Sequence, residues 1–112
     1  MAQTVISVKC TDQVLTPIDT PVIAAGGVNE NKIAFEFCSK WDGFTKKAVF
    51  RYNKSVTAEA DVGEDNTCIV PPEVVAHPGY MFFGVYGVNE SGVKRTSTVI
   101  KYKIEKGAVN LL

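Results

Sequence analysis

The sequence has little of what small enzymes and metal sites are built from. It holds one histidine, His77, and three cysteines, Cys10, Cys38 and Cys68, so any Cys-His pair or mixed ligand set has a single imidazole to draw on. The cysteines are odd in number, widely spaced and never at a CxxC interval, which fits neither a zinc ligand pattern nor a secreted disulfide framework. They read as buried thiols acting as small hydrophobes, and no metal or other cofactor is expected. An excess of charge is also missing, since 12 Lys plus Arg balance 12 Asp plus Glu. That removes the broad basic footprint selected by nucleic-acid backbones and anionic membranes, so neither is an expected partner. No apolar run approaches the roughly 20 residues that cross a bilayer. The start, Met1-Ala2-Gln3-Thr4, has no basic stretch leading into an apolar one, and predicts a chain made and kept in a cytoplasm. Gly26-Gly27 lacks the Gly-Lys-Ser of a phosphate loop and no helix opens after it. Helical periodicity is nearly absent, with at most one short turn near 72–76, where Pro71-Pro72 opens and Pro78-Gly79 closes a segment.

What is present is a period of two. From Ser55 to Val62 apolar residues occupy every second position, as a strand with one wet face requires. Asn31 to Cys38 sets Ile33, Phe35 and Phe37 against Ala34 and Glu36, and Lys47 to Asn53 sets Ala48, Phe50 and Tyr52 against Val49 and Arg51. Tyr80 to Val88 is apolar at nearly every position, which predicts a central strand covered on both faces. The last run sets Thr96, Thr98, Ile100, Tyr102 and Ile104 against Arg95, Ser97, Lys101 and Lys103, predicting one long strand with Arg95 on its wet side. With strands near Thr4 to Cys10, Val14 to Ile18 and Cys68-Ile69, about seven or eight short strands lie at hairpin spacing. The pattern predicts an all-β, antiparallel, immunoglobulin-like β-sandwich. Its 112 residues make one domain, 1–112, with 106–112 read as an exit segment toward a continuation or partner.

Candidate chemistry is sparse. His77 sits beside Pro78 and reads as an exposed turn residue, without a nucleophile placed by spacing. Asp61, Glu64, Asp65 and Asn66 are the densest acidic group, but lack the alternation of a calcium loop and read as a solvated turn. Trp41, Phe44, Tyr52, Tyr80 and Tyr86 are the aromatics that could stack on a sugar. Of these, only Trp41 and Phe44 lie on a connecting segment, where a plug closing one end of the sandwich competes with an exposed platform. No enzyme is expected.

Specific words then matter more than composition. Phe35-Glu36-Phe37 followed by Trp41-Asp42-Gly43-Phe44-Thr45-Lys46-Lys47-Ala48-Val49-Phe50 resembles small domains encoded in phages and prophages of Gram-positive bacteria. Cys68-Ile69-Val70-Pro71-Pro72-Glu73-Val74, then Pro78-Gly79 and Gly84-Val85-Tyr86-Gly87, resembles the second half of that pattern, and Ile104 to Ala108 its exit. Such domains are commonly N-terminal parts of tail-fibre or baseplate proteins, similar to the immunoglobulin-like N-terminal domain of baseplate upper proteins. The resemblance implies a virion structural protein, assembled in the bacterial host cytoplasm. It would act through contacts with other tail proteins and with itself, often as a homotrimer. Trp41, Phe44, Phe50, Pro72, Gly79 and Tyr86 match its framework. The expected interface is the proline-bearing N-terminal stretch, with Val14, Leu15, Ile18, Val22 and Ile23, so that deleting residues 1–25 would abolish oligomerisation or docking. The alternative is a carbohydrate-binding module for host cell-surface glycans, stacking sugars on Trp41 and Phe44.

Overall fold

The computed structural model describes residues 3–112; Met1 and Ala2, which the expected 1–112 domain and the reading of the chain's start include, lie outside the described residues. Ten strands follow one another: β1 Thr4–Thr11, β2 Val14–Asp19, β3 Ile23–Ala24, β4 Asn31–Phe37, β5 Thr45–Tyr52, β6 Val56–Asp61, β7 Thr67–Ile69, β8 Gly79–Val88, β9 Lys94–Thr96 and β10 Ile100–Glu105. They form two sheets, β2-β1-β4-β7 and β3-β10-β8-β5-β6, with β9 adding to β8. The all-β sandwich expected from the alternation is what the chain builds, and β10-β8-β5-β6 follows the G-F-C-C′ order of an immunoglobulin variable sheet.

The core is the inward half of each alternation. Ile6, Val8 and Cys10 from β1, and Ile33 and Phe35 from β4, meet Ala48 and Phe50 from β5, Met81, Phe83 and Val85 from β8, and Ile100, Tyr102 and Ile104 from β10; all are buried. Each large side chain so enclosed contributes about 1.5–3 kcal/mol. The central position expected for Tyr80 to Val88 holds, since β8 pairs with both β5 and β10.

Both sheets are mixed rather than purely antiparallel. β1 runs parallel to β4, from Thr4↔Asn31 to Cys10↔Phe37, and β3 runs parallel to β10 at Ile104↔Ile23. A parallel neighbour needs a long crossover, and residues 12–30 supply it by turning back within the first sheet as β2, crossing to the second as β3, and returning to the first at β4. Alternation reports which face is buried and is silent on the direction of the partner.

The long final strand is broken. Thr96 pairs with Tyr86 and Ile100 with Phe83, leaving 97–99 opposite only Gly84 and Val85, which is a β-bulge of one extra residue. The bulge reverses parity, so Arg95 turns inward with Ile100, Tyr102 and Ile104 instead of lying on the wet side with Lys101. Its guanidinium carbon sits 5.8 Å from the Trp41 ring centroid and 5.6 Å from that of Phe44. Gly84 makes the bulge possible, because a Cβ there would come within 3.2 Å of Ser97 Oγ and of the Thr98 carbonyl. Thr98, in the bulge, ties the two sheets together: its N–H donates to the Gln13 carbonyl at 2.7 Å and its hydroxyl accepts from the Leu15 N–H at 3.0 Å.

Short 3-10 turns occupy Ser39–Trp41, Pro72–Val74 and Ala108–Leu111. The second is the turn expected near 72–76. The third lies within the 106–112 segment: the Gly107 N–H donates to Asn110 Oδ1 at 2.7 Å, and Val109 packs over Gly26.

Candidate functional site

The residues singled out in the sequence do not converge. His77 is exposed, with its ring 6.3 Å from that of Tyr52. Asp65 accepts from the Thr67 hydroxyl at 2.8 Å and N–H at 3.2 Å, bonds that hold its carboxyl below the usual carboxylate range and make it a turn-former. Among the described residues no three His, Cys, Asp or Glu side chains cluster as metal ligands, and no helix is long and apolar enough to cross a membrane.

All three cysteines are free. Burial pushes the Cys68 thiol from its ordinary 9.0 up to about 12, and burial together with neighbouring Cys38 pushes Cys10 up to about 11. Tyr102, whose hydroxyl donates to the Pro21 carbonyl, is likewise pushed up to about 12, by burial and then by Asp19. Each group keeps its proton to higher pH in the folded chain than in the unfolded one. Their contribution to stability is therefore complete at neutral pH and lost as pH rises through these values. Urea midpoints are expected to hold near neutrality and fall progressively above about pH 9. In native protein, half-buried Cys38 is expected to react with a thiol reagent ahead of Cys10 and Cys68, and all three to react in denaturant. Equal native reactivity of all three would contradict the burial.

Trp41 cannot serve as an exposed platform. It is 0% exposed, its ring lies 5.2 Å from Phe37 and 6.2 Å from Phe44, and its Nε1–H donates to the Asp12 carbonyl at 2.6 Å. It is the plug of one sandwich end, and Phe44, half-buried beside it, backs Arg95. The expected interface also divides. Leu15 and Ile23 are core residues, whereas Val14, Ile18 and Val22 are exposed. β2 and β3 are edge strands, as the prolines suggest, but the β2 edge is blunted: the Leu15 donor is taken by Thr98, and Pro17, next on that side, has none to give. Deleting 1–25 would excise β1, which pairs with both β2 and β4, and so would test folding rather than docking.

The surface that does assemble is the outer face of the larger sheet. β5 directs Val49 and Arg51 outward, and β8 directs Tyr80, Phe82, Gly84 and Tyr86 the same way. The bulge raises Ser97 and Val99 as one wall and the β5–β6 turn raises Asn53 and Lys54 as the other, enclosing an open groove of about 770 Å³. Val49 is 38% exposed and Val99 64%.

The charge on this face is segregated. Lys94 Nζ lies 4.8 Å from the Tyr86 ring centroid and Lys101 Nζ 4.3 Å from that of Tyr80, both cation–π geometries. The Tyr86 hydroxyl donates to Glu59 Oε1 at 2.7 Å, and that bond raises its pKa above the ordinary value. Lys47 pairs with Asp61 at 3.9 Å and Lys103 with Glu105 at 3.5 Å. Arg51, Lys54, Lys94 and Lys101 have no ion-pair partner among the described residues, and no carboxylate lines the groove.

Sequence reasoning missed this face because its parts come from 49–54, 82–86 and 94–99. One signal was available. β8 is apolar on both alternations, which predicts cover on both sides; its inner side is buried, whereas on its outer side only Gly84 is, with Phe82 and Tyr86 half-buried and Tyr80 and Val88 exposed. No family model matches the chain, and no curated protein aligns with it.

Proposed function

We propose that this chain is an attachment domain of a phage or prophage tail fibre or baseplate, a virion structural component that works by protein–protein contact. The observation that carries the reading is the outer face of β8. Phe82 and Tyr86, with Val49 and Val99 beside them, form an apolar groove on a strand whose composition calls for cover that the described residues supply only in part. An apolar floor rimmed by polar groups has the core-and-rim anatomy of an interface. The tail assignment rests on the words around Trp41 and Pro72, and the groove supplies the contact surface that such a domain needs. In that setting the chain associates with other tail proteins and with copies of itself, the trimer being the expected self-assembly. The carbohydrate reading has no comparable support, since Trp41 is enclosed and exposed Tyr80 is already covered by Lys101.

The test is particle composition. Particles purified from the phage or induced lysogen that encodes the chain are expected to carry it at fixed stoichiometry with tail proteins. A Val49→Asp/Val99→Asp variant, changed only at exposed positions, is expected to fold normally and to be lost from those particles. Particles that lack the wild-type chain, or that retain the variant in full, would overturn the reading.

A further inference from the structure

On the reading that the groove is a docking face, we infer that its occupant is an acidic, extended segment of a partner protein that seats one aromatic or branched aliphatic side chain on Val49, Phe82 and Val99, its flanking carboxylates meeting Arg51, Lys54 and Lys94. Three observations select this chemistry. The floor is apolar and wide enough for a large side chain, at about 770 Å³. The cations that reach it are unpaired among the described residues, and carboxylates are absent from the lining. Glu59, across the strand pair from Val49, keeps its charge but is held by the Tyr86 hydroxyl at the β6 edge, outside the groove lining. An acidic segment therefore gains charge complementarity at little desolvation cost, whereas a basic one would be steered away. A groove open to solvent on the sheet face suits a chain lying across it better than a small amphiphile, which needs most of its surface enclosed.

The experiment uses the whole chain and short fluorescent synthetic peptides with a central Phe flanked by Asp and Glu. Controls carry Lys in place of the acids, or Ala in place of the Phe, and an alkyl carboxylate serves as a small amphiphile. Binding is followed by anisotropy, with amide shifts locating it. The acidic Phe peptide is expected to perturb residues 49–51, 82–86 and 94–99. It is expected to weaken with added salt and to lose about tenfold or more in affinity on Arg51→Glu/Lys94→Glu, charge reversals on exposed side chains. Equal binding of the Lys-flanked or Ala peptide, shifts elsewhere, equal binding of the alkyl carboxylate, or no binding by any peptide would each overturn the inference. So would a doubled molar mass that Arg51→Glu abolishes, because a second copy would then occupy the groove. A photo-crosslinker at position 49 in assembled particles separates the two levels. An adduct on a neutral or basic segment of a tail protein leaves the docking face standing and ends the acidic-segment inference, and a face that stays free of adducts in intact particles ends both.

Discussion

Trp41→Ala is expected to cost about 4 kcal/mol, a large part of the roughly 5–15 kcal/mol that holds a domain of this size together. Removing a large, fully buried ring loses its transfer energy and leaves a cavity lined by residues that collapse only in part. Here the lining is unusually interdependent. Phe37 and Phe44 lean on the indole from two sides, and the Arg95 guanidinium lies over it with its buried Nε lacking a hydrogen-bond partner among the described residues. The indole N–H also holds the Asp12 carbonyl in the β1–β2 turn, where Asp12 has a left-handed φ of 54°. One substitution therefore loosens the plug, the hairpin and the inward arginine together. Thermal unfolding followed by far-ultraviolet circular dichroism should show a midpoint lower by about 15 °C. Trp41→Phe, which keeps one ring but loses the donor and part of the buried volume, should recover about half of the loss. An unchanged midpoint for Trp41→Ala would mean that the end of the sandwich is not closed by this residue.

How far the sequence discloses this architecture depends on the range of the information needed. The inward sets Ile33-Phe35 and Ala48-Phe50 are readable because burial in a strand is a local, period-two property. β6 shows the same alternation yet is only half-buried on its inner side, because it is a sheet edge, and edge position depends on which strand pairs beyond it. Arg95 is misplaced by pattern alone, since one extra residue at 97–99 inverts the faces without disturbing the alternation of residue types. The parallel pairings are hidden for a different reason: nothing in Thr4–Thr11 distinguishes a parallel neighbour from an antiparallel one. The groove is least legible, because its cations and apolar floor come from three segments that only the sheet brings together. What the sequence does carry is the mismatch at β8, two apolar faces of which the described residues bury one fully and the other only in part.

The same distinction between local pattern and tertiary approach is sharpest at Gly107, where alanine is expected to destabilise by about 3 kcal/mol, the upper part of the range for overpacking. The backbone there is extended, with φ −99° and ψ 172°, so any residue could adopt it and the conformation itself calls for no glycine. The obstacle is across the interface. A Cβ at 107 would run into the backbone carbonyl of Ala25, inside any real contact distance, with the Ala25 nitrogen and carbonyl carbon close behind. Backbone cannot rotate aside as a side chain can, and Ala25 is itself held by an N–H donated to Glu105 at 2.9 Å and followed by the Gly26 N–H donated to Val75. Relief therefore requires parting β3 from β10, which unzips the parallel pairing at Ile23↔Ile104 and exposes a buried isoleucine on each side. Gly92→Ala provides the contrast, since its φ of 82° disfavours alanine but nothing lies near the added carbon, and a cost of about 1 kcal/mol is expected. Urea denaturation should therefore rank Gly107→Ala well below Gly92→Ala, with amide exchange at Ala25 accelerated only in the former. The reverse order would show that backbone conformation, rather than the approach of the two chain segments, decides the role of these glycines.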